Sequence, residues 1–118
     1  MTKQSAGDAY TFIDSMENLI SEIPADSIVS RTVVSDGGTK VILFGFAAGQ
    51  ELSEHTAPRP AILQFLRGTA ALILGEDTMQ AVPGTVAHMA PDLPHSIRAE
   101  SDVLMLLIML PRTDSGRL

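Results

Sequence analysis

Residues 49 to 99, the most informative part of the chain about its fold, read GQELSEHTAPRPAILQFLRGTAALILGEDTMQAVPGTVAHMAPDLPHSIRA. In it, short apolar segments alternate with glycine- and proline-containing turns, a pattern typical of successive β-strands. The stretch also holds all three histidines of the chain, which are His55, His88 and His95. The residue type best suited to binding or proton transfer near neutral pH is therefore concentrated where the strands are.

Strand-like segments continue on both sides of this stretch. Ile28 to Val34 is rich in β-branched residues, and the Asp36-Gly37-Gly38 sequence that follows is a hairpin signal. About eight or nine strands at a spacing of about 8–12 residues predict an all-β fold, either an antiparallel sandwich or a barrel. Further strands are predicted at 41–46, 61–66, 69–74, 78–82, 85–90, 95–99 and 103–110.

The segment before these strands has a different period. From Phe12 to Ile23 the apolar residues recur three and four apart, and Asp14 with Glu17 fits a capping box, so we predict one short amphipathic helix ended by Pro24. This helix would pack on the body of the domain, although it could instead bind a partner. The expected organisation is an N-terminal extension with the helix at 1–27, frayed over 1–9, a β-barrel at 28–111 and a loose tail at 112–118.

Composition restricts the class of protein. A chain of 118 residues with 45% hydrophobic and 19% charged residues is large enough for one packed domain. The net charge is −6 and the eight basic residues are scattered, which argues against a nucleic-acid partner. The sequence contains no cysteine, which excludes disulfides, thiolate nucleophiles and cysteine-type zinc sites.

Membrane association and export are also not expected. The apolar run from Val103 to Leu110 is much shorter than the ~20 residues that span a bilayer. The first eight residues are polar and contain no apolar signal region, so we expect a cytoplasmic protein. The Val103–Leu110 run does not alternate, which indicates a strand covered on both faces. We therefore predict a homodimer in which a second subunit supplies the outer cover.

Two motifs carry a resemblance to a known family. Residues 28–110 resemble the cupins, small RmlC-like jelly-roll proteins. Their first motif is glycine, five residues, His-x-His, three or four residues, glutamate, six residues and glycine. Their second is glycine, five residues, Pro-x-Gly, two residues, histidine, three residues and asparagine. The matching positions are Gly49, His55 and Gly68, then Gly84 and His95, and the positions that depart are Ala57, Ala61, Ala90, Asp92 and Ala99.

The resemblance implies a jelly-roll barrel and a metal site that is at most incomplete. In metal-binding cupins the motif histidines and glutamate hold Fe, Mn, Ni, Zn or Cu, a donor set that suits these ions. Here His55 and His95 remain, while alanine replaces the other two donors. His88 or Gln64 are weaker candidates to complete the site. A divalent transition metal and a metal-free site both stay open at this stage.

Strand alternation extends the predicted site along the barrel interior. If His55 points inward so does Ala57, and an inward Ala61 is followed by inward residues at every second position. The predicted ligand pocket is His55, His95, Ala57, Ala61, Leu63 and Phe65. The first hypothesis is a small-molecule-binding cupin of unassigned substrate with the two histidines at the polar end of its pocket. The alternatives are a metal-dependent enzyme of dioxygenase or isomerase type with a reduced ligand set, and a structural or regulatory module with a filled barrel.

Overall fold

The computed structural model describes the backbone of residues 2–4 and all of residues 9–112. Its regular secondary structure is almost all β-strand, which makes up about 56% of the chain, as the turn spacing predicts. The strands are β1 (Thr2–Gln4), β2 (Thr11–Ile13), β3 (Ile28–Asp36), β4 (Thr39–Phe46), β5 (Glu51–His55), β6 (Ala61–Arg67), β7 (Ala70–Leu74), β8 (Asp77–Ala81), β9 (Val86–Met89), β10 (His95–Ala99) and β11 (Val103–Met109), with one 3₁₀ helix at Met16–Leu19.

Two antiparallel sheets form the body of the molecule. One is five-stranded in the order β3-β4-β11-β6-β9, and the other is four-stranded in the order β5-β10-β7-β8. Neighbours such as β11 and β4 are far apart in sequence, as in the crossed connections of a jelly roll. The hairpin predicted at Asp36-Gly37-Gly38 is confirmed, since Asp36 pairs with Thr39 and both glycines have positive φ angles, 60° and 87°.

The main core lies between the two sheets. Along β6 the burial alternates, with Ala61, Leu63 and Phe65 at 4%, 1% and 0% exposure, and Ile62 on the other face only half-buried. Residues of the four-stranded sheet, among them Ile97, belong to the same apolar cluster. Because side chains alternate between the two faces of each strand, every second residue points inward, and the inward residues of the two sheets pack against each other.

The apolar strand β11 is covered on both faces within one chain. Val103 and Met105 lie in the core between the sheets, whereas Leu104 and Leu106 belong to a second cluster on the outer face of the five-stranded sheet. Residues of the N-terminal segment pack against this second cluster, namely Met16, Leu19 and Ile20. The outer cover that we assigned to a second subunit is therefore supplied at least in part by the same chain, and the homodimer stays a prediction.

The predicted amphipathic helix over Phe12–Ile23 is wrong in extent and type. Part of it is strand β2, and the helical part is a single 3₁₀ turn, Met16–Leu19. The capping box is also absent, because the residue that precedes the turn is Ser15 and its side chain makes no capping hydrogen bond. This single turn already places three apolar side chains against the sheet. A longer helix would add little stability, because short helices are only marginally stable without tertiary packing.

The N-terminal residues differ from expectation in a second way. Residues 2–4 were expected to be frayed, but Thr2–Gln4 pairs antiparallel with Thr11–Ile13 in a small two-stranded sheet. The predicted loose tail lies outside the described residues except for Arg112. Within the described residues, no helix has the length and apolar character needed to cross a membrane.

Gly68 lies where two chain segments approach each other closely. Its φ angle is 85°, and a Cβ atom built on it would lie 2.0 Å from the carbonyl oxygen of Asp102. A side chain cannot be accommodated at that distance, because the opposing atom belongs to the backbone. This glycine of the first motif is therefore required by the path of the chain from β6 to β7 beside the start of β11.

Candidate functional site

His55 and His95 meet at one end of the barrel. His55 is the last residue of β5 and His95 the first of β10, and the two are register partners in the antiparallel pair. Their ring centroids lie 4.2 Å apart with an interplanar angle of 57°. His95 is buried, at 7% exposure, whereas His55 is exposed. Two residues separated by forty positions in sequence thus form one imidazole pair.

Each ring is oriented by a hydrogen bond of the same kind, from its Nδ1–H to a main-chain carbonyl oxygen. The Nδ1–H of His55 donates to the carbonyl oxygen of Ser53 at 2.9 Å, and the Nδ1–H of His95 donates to the carbonyl oxygen of Leu93 at 2.9 Å. A carbonyl oxygen can only accept, so Nδ1 carries the proton in both rings. The Nε2 atoms are therefore the ring nitrogens left to face a ligand.

A cavity of about 160 Å³ lies beside this pair. Its wall is formed at one end of the barrel, where some antiparallel strands end and their neighbours begin, and by the adjoining loops. Most of the wall is apolar. The lining residues are His55, Ala57, Arg59, Ala61, Met89, Ala90, Leu93, His95, Leu107 and Met109.

The predicted pocket residues divide into two groups. His55, Ala57, Ala61 and His95 line the cavity together. Leu63 and Phe65 do not line it and lie in the packed core, at 1% and 0% exposure. They lie on the inward face of β6, as alternation predicts, but further along the strand, where neighbouring side chains fill the space.

The two weaker metal candidates point away from the cavity. In the pairing of β6 with β9, Ile62 lies opposite His88 and Gln64 lies opposite Val86. These residues share the outer face of the five-stranded sheet, while Met89 next in sequence is buried at 3% exposure. His88 and Gln64 therefore cannot complete a site with His55 and His95, which corrects that hypothesis.

Arg59 is a lining residue that the sequence analysis did not find. Its Nε donates to the carbonyl oxygen of Leu110 at 3.0 Å, and its Nη2 donates to those of Gly38 and Met109. The guanidinium thereby ties the β3–β4 turn to the end of β11 at the cavity. No local pattern around Arg59 signals this, because its three acceptors are twenty or more residues away.

Asp92 occupies the position of a motif glycine and keeps the backbone shape of one. Its φ angle is 67°, in the left-handed region, where aspartate is tolerated better than most residues. Its N–H donates to the carbonyl oxygen of Ala57 at 2.7 Å. That bond joins the loop before His95 to the loop after His55, so the departure from the motif leaves the two histidine-bearing loops in contact.

The donors at this site do not fit a three-ligand metal centre. Among the residues that the structure describes, no group of three or more His, Cys, Asp or Glu side chains could hold an ion. The two other motif donor positions are the methyl groups of Ala57 and Ala61, which face the same cavity. Two imidazoles alone fall short of the three protein ligands usual for a catalytic metal.

Comparison with known proteins places the fold. No protein-family model and no curated protein matches the chain, but solved structures do. A conserved protein of unknown function from Streptococcus pyogenes is 27% identical, with a TM-score of 0.72 over 78% of this chain and 81% of that one. An RmlC-like cupin from Desulfovibrio desulfuricans is 26% identical, with a TM-score of 0.71 over 86% and 100% of the two chains.

A cupin superfamily protein from Desulfitobacterium hafniense is 24% identical, with a TM-score of 0.77 over 81% of this chain and 87% of that one. The chain therefore has the RmlC-like cupin fold, and the prediction made from the two motifs is confirmed. The names of these three proteins state neither a substrate nor a metal, so the function has to be argued from the site itself.

Proposed function

We propose that this protein is a small-molecule-binding cupin whose ligand occupies the cavity at the end of the barrel, with His55 and His95 as its polar end. One observation carries the proposal: a mostly apolar cavity with two imidazoles whose Nδ1 atoms are held by backbone carbonyls. A concave apolar wall with a few oriented polar groups is the usual form of a ligand site. The fixed rings supply the polar groups without further ordering on binding.

The size of the cavity limits the ligand. Sites for drug-sized molecules measure roughly 300–1,000 Å³, whereas an apolar cavity of roughly 150 Å³ accommodates benzene. At about 160 Å³ this cavity suits a ligand of about one ring, or a branched aliphatic molecule of the same bulk. It is too small to enclose a nucleotide or a disaccharide.

The cavity can be tested through its methionines. Met89 and Met109 line it, whereas Met79 is 41% exposed on β8 and lies outside it. In protein labelled with ¹³C at the methionine methyl groups, small fragments that bind should shift the signals of Met89 and Met109 and leave that of Met79 in place. The proposal fails if no fragment of a one-ring library moves the two lining methyl groups.

The second candidate is the metal-dependent enzyme with a reduced ligand set, with Fe, Mn, Ni, Zn or Cu as the ion. It is favoured by the hydrogen bonds of the two Nδ1 atoms, because metal-bound histidines usually donate their other ring N–H to a backbone carbonyl or carboxylate. Against it stands the donor set, since the described residues provide two imidazoles and no third ligand.

Elemental analysis separates the two candidates. The wild type is compared with His55→Ala and His95→Ala, and a double variant with Ala57→His and Ala61→Glu serves as the positive control because it restores the motif donors. The binding-module proposal predicts metal in the double variant and none in the wild type. Stoichiometric metal in the wild type that either histidine substitution abolishes would favour the enzyme.

A further inference from the structure

We infer that the ligand of this cavity is a small organic anion, a carboxylate with an apolar body of about one ring, an inference that rests on the proposed function. The charge of the cavity wall is the first argument. The chain has 14 acidic and eight basic residues besides its histidines, for a net charge of −6. The described lining nevertheless includes His55, His95 and Arg59 and not one carboxylate. The wall is thus opposite in sign to the chain as a whole, which favours an anion.

Arg59 makes no ion pair within the described part of the chain, although Asp36 lines a neighbouring surface pocket with it. All three of its hydrogen bonds go to main-chain carbonyl oxygens, which carry no net charge. In the part of the chain that the structure describes, the ion pair found is between Arg67 and Glu17, and no carboxylate pairs with Arg59. A guanidinium remains charged throughout the physiological pH range. Because Arg59 is partly buried, an anion bound nearby would gain more from this charge than it would in open solvent.

The hydrogen bonds of Arg59 also fix its position before any ligand arrives. The acceptors come from two places in the fold, the β3–β4 turn at Gly38 and the end of β11 at Met109 and Leu110. A long flexible side chain normally loses considerable freedom on binding, and that loss weakens affinity. Here most of the ordering is complete in the folded protein. The third nitrogen of the guanidinium, Nη1, has no acceptor among the described residues.

The two histidines add a second polar contact. Their Nδ1–H groups are engaged with Ser53 and Leu93, so a ligand meets the rings through Nε2. A protonated ring donates its Nε2–H to a carboxylate oxygen in a charge-assisted hydrogen bond, whereas Nε2 of a neutral ring can only accept, as from the O–H of a carboxylic acid. A cation would find no carboxylate in the lining to pair with.

The remaining wall defines the body of the ligand. Apart from the three polar residues it consists of alanine, leucine and methionine side chains, which offer dispersion contacts and no hydrogen bonds. A polyol or sugar acid would lose the hydrogen bonds of its hydroxyl groups on entering such a wall. An aromatic or branched aliphatic carboxylate satisfies both the polar end and the apolar wall.

Three probes of nearly equal shape test the inference: benzoate, benzamide and benzylamine, which are anionic, neutral and cationic. Each is titrated into the wild-type protein while the methyl signals of Met89 and Met109 are followed, with Met79 as the internal control. We expect benzoate to bind at least ~10-fold more tightly than benzamide, and benzylamine to bind most weakly. Arg59→Met should reduce the preference for benzoate over benzamide several-fold. Arg67→Met, an exposed arginine outside the cavity, is the matched control and should leave the preference unchanged.

Each outcome decides a different claim. Benzamide or benzylamine binding as tightly as benzoate would overturn the anion inference while the cavity remained a binding site. No shift of either lining methyl group with any probe at millimolar concentration would overturn the proposed function as well. If Arg59→Met does not fold, the comparison of the three probes on the wild type still decides the ligand class. A preference that persists unchanged in a folded Arg59→Met would overturn the part assigned to Arg59.

Discussion

The two halves of the barrel interior are built from the same strands but are filled differently. In the closed half, Leu63 and Phe65 of β6 pack with Phe46 and leave no space. In the open half, Ala61 at the start of the same strand lines the cavity. Strand β10 behaves likewise, with its first residue His95 at the cavity and later residues in the core. An inward position on a strand is therefore not enough to predict where room for a ligand is left, because that depends on how the neighbouring side chains pack.

The largest effect should come from the closed half at Gly68. In Gly68→Ala the new methyl group would meet the carbonyl oxygen of Asp102 at 2.0 Å in a residue with a φ angle of 85°. The opposing atoms belong to the backbone of Asp102 and Val103 and cannot rotate away, so we expect a loss of at least ~5 kcal/mol in the free energy of unfolding, measured by chemical denaturation. The control is Gly49→Ala, where φ is 88° but no atom lies within 4 Å. It should lose only ~1–2 kcal/mol, from backbone strain alone. Equal losses at the two glycines would contradict the close approach.

A substitution that creates a cavity in the closed half should reduce the free energy of unfolding nearly as much as Gly68→Ala. Phe65 is completely buried, so Phe65→Ala removes its contacts and leaves space that the core cannot fill. The expected loss is ~3–5 kcal/mol in the free energy of unfolding. Val86→Ala is the control because Val86 is 59% exposed, and it should change stability by less than ~0.5 kcal/mol. A small loss at Phe65 would mean that the two halves are not packed differently.

Filling the open half should change binding more than stability. Ala57 lines the cavity and is half-buried, so Ala57→Leu places three additional carbons in the ligand space. We expect binding of benzoate to weaken at least ~10-fold, with a change in stability below ~1.5 kcal/mol. Ala71→Leu is the control, since Ala71 is equally half-buried but lies on the outward face of β7 and outside the cavity. Loss of binding in both variants would show a general effect of bulk rather than occupation of the cavity.

The smallest effect is expected on the outer face. His88 is exposed and pairs with Ile62 away from the cavity, so His88→Ala should leave probe affinity unchanged and stability within ~0.5 kcal/mol. His95→Ala removes a buried ring from the cavity wall and should weaken benzoate binding several-fold. The methyl titration measures both. A His88→Ala variant that loses affinity as His95→Ala does would place the ligand elsewhere.

Much of the sheet structure is predictable from local patterns. The bounds predicted for strand β10, residues 95–99, agree with the structure, and the hairpin at Gly37 and Gly38 has the backbone that its sequence favours. The short N-terminal helix is the exception. Its apolar spacing reflects contact with the outer face of the sheet, for which one 3₁₀ turn is enough, and a local period does not reveal how many turns the contact requires.

The candidate site was predictable only in part. Spacing within the two motifs pointed to His55 and His95, and these residues are register partners at the cavity. Period-two alternation predicted Leu63 as a pocket residue, but Leu63 lies in the packed core. The alternation indicates which face of the strand a side chain is on and does not indicate how far along the barrel it lies. Arg59 could not be found in this way, since its partners Gly38 and Leu110 come from distant parts of the chain.

The all-β class, the positions of most turns and the jelly-roll resemblance follow from local sequence patterns, because glycine, proline and alternating apolar residues act over a few neighbouring positions. Three other features depend on the folded chain: which histidines meet, which inward positions border open space and where the charge of Arg59 lies. These depend on packing between residues twenty to fifty positions apart. Residues of several strands and loops that are distant in sequence line the cavity together at one end of the barrel, and no single segment of the sequence contains that arrangement.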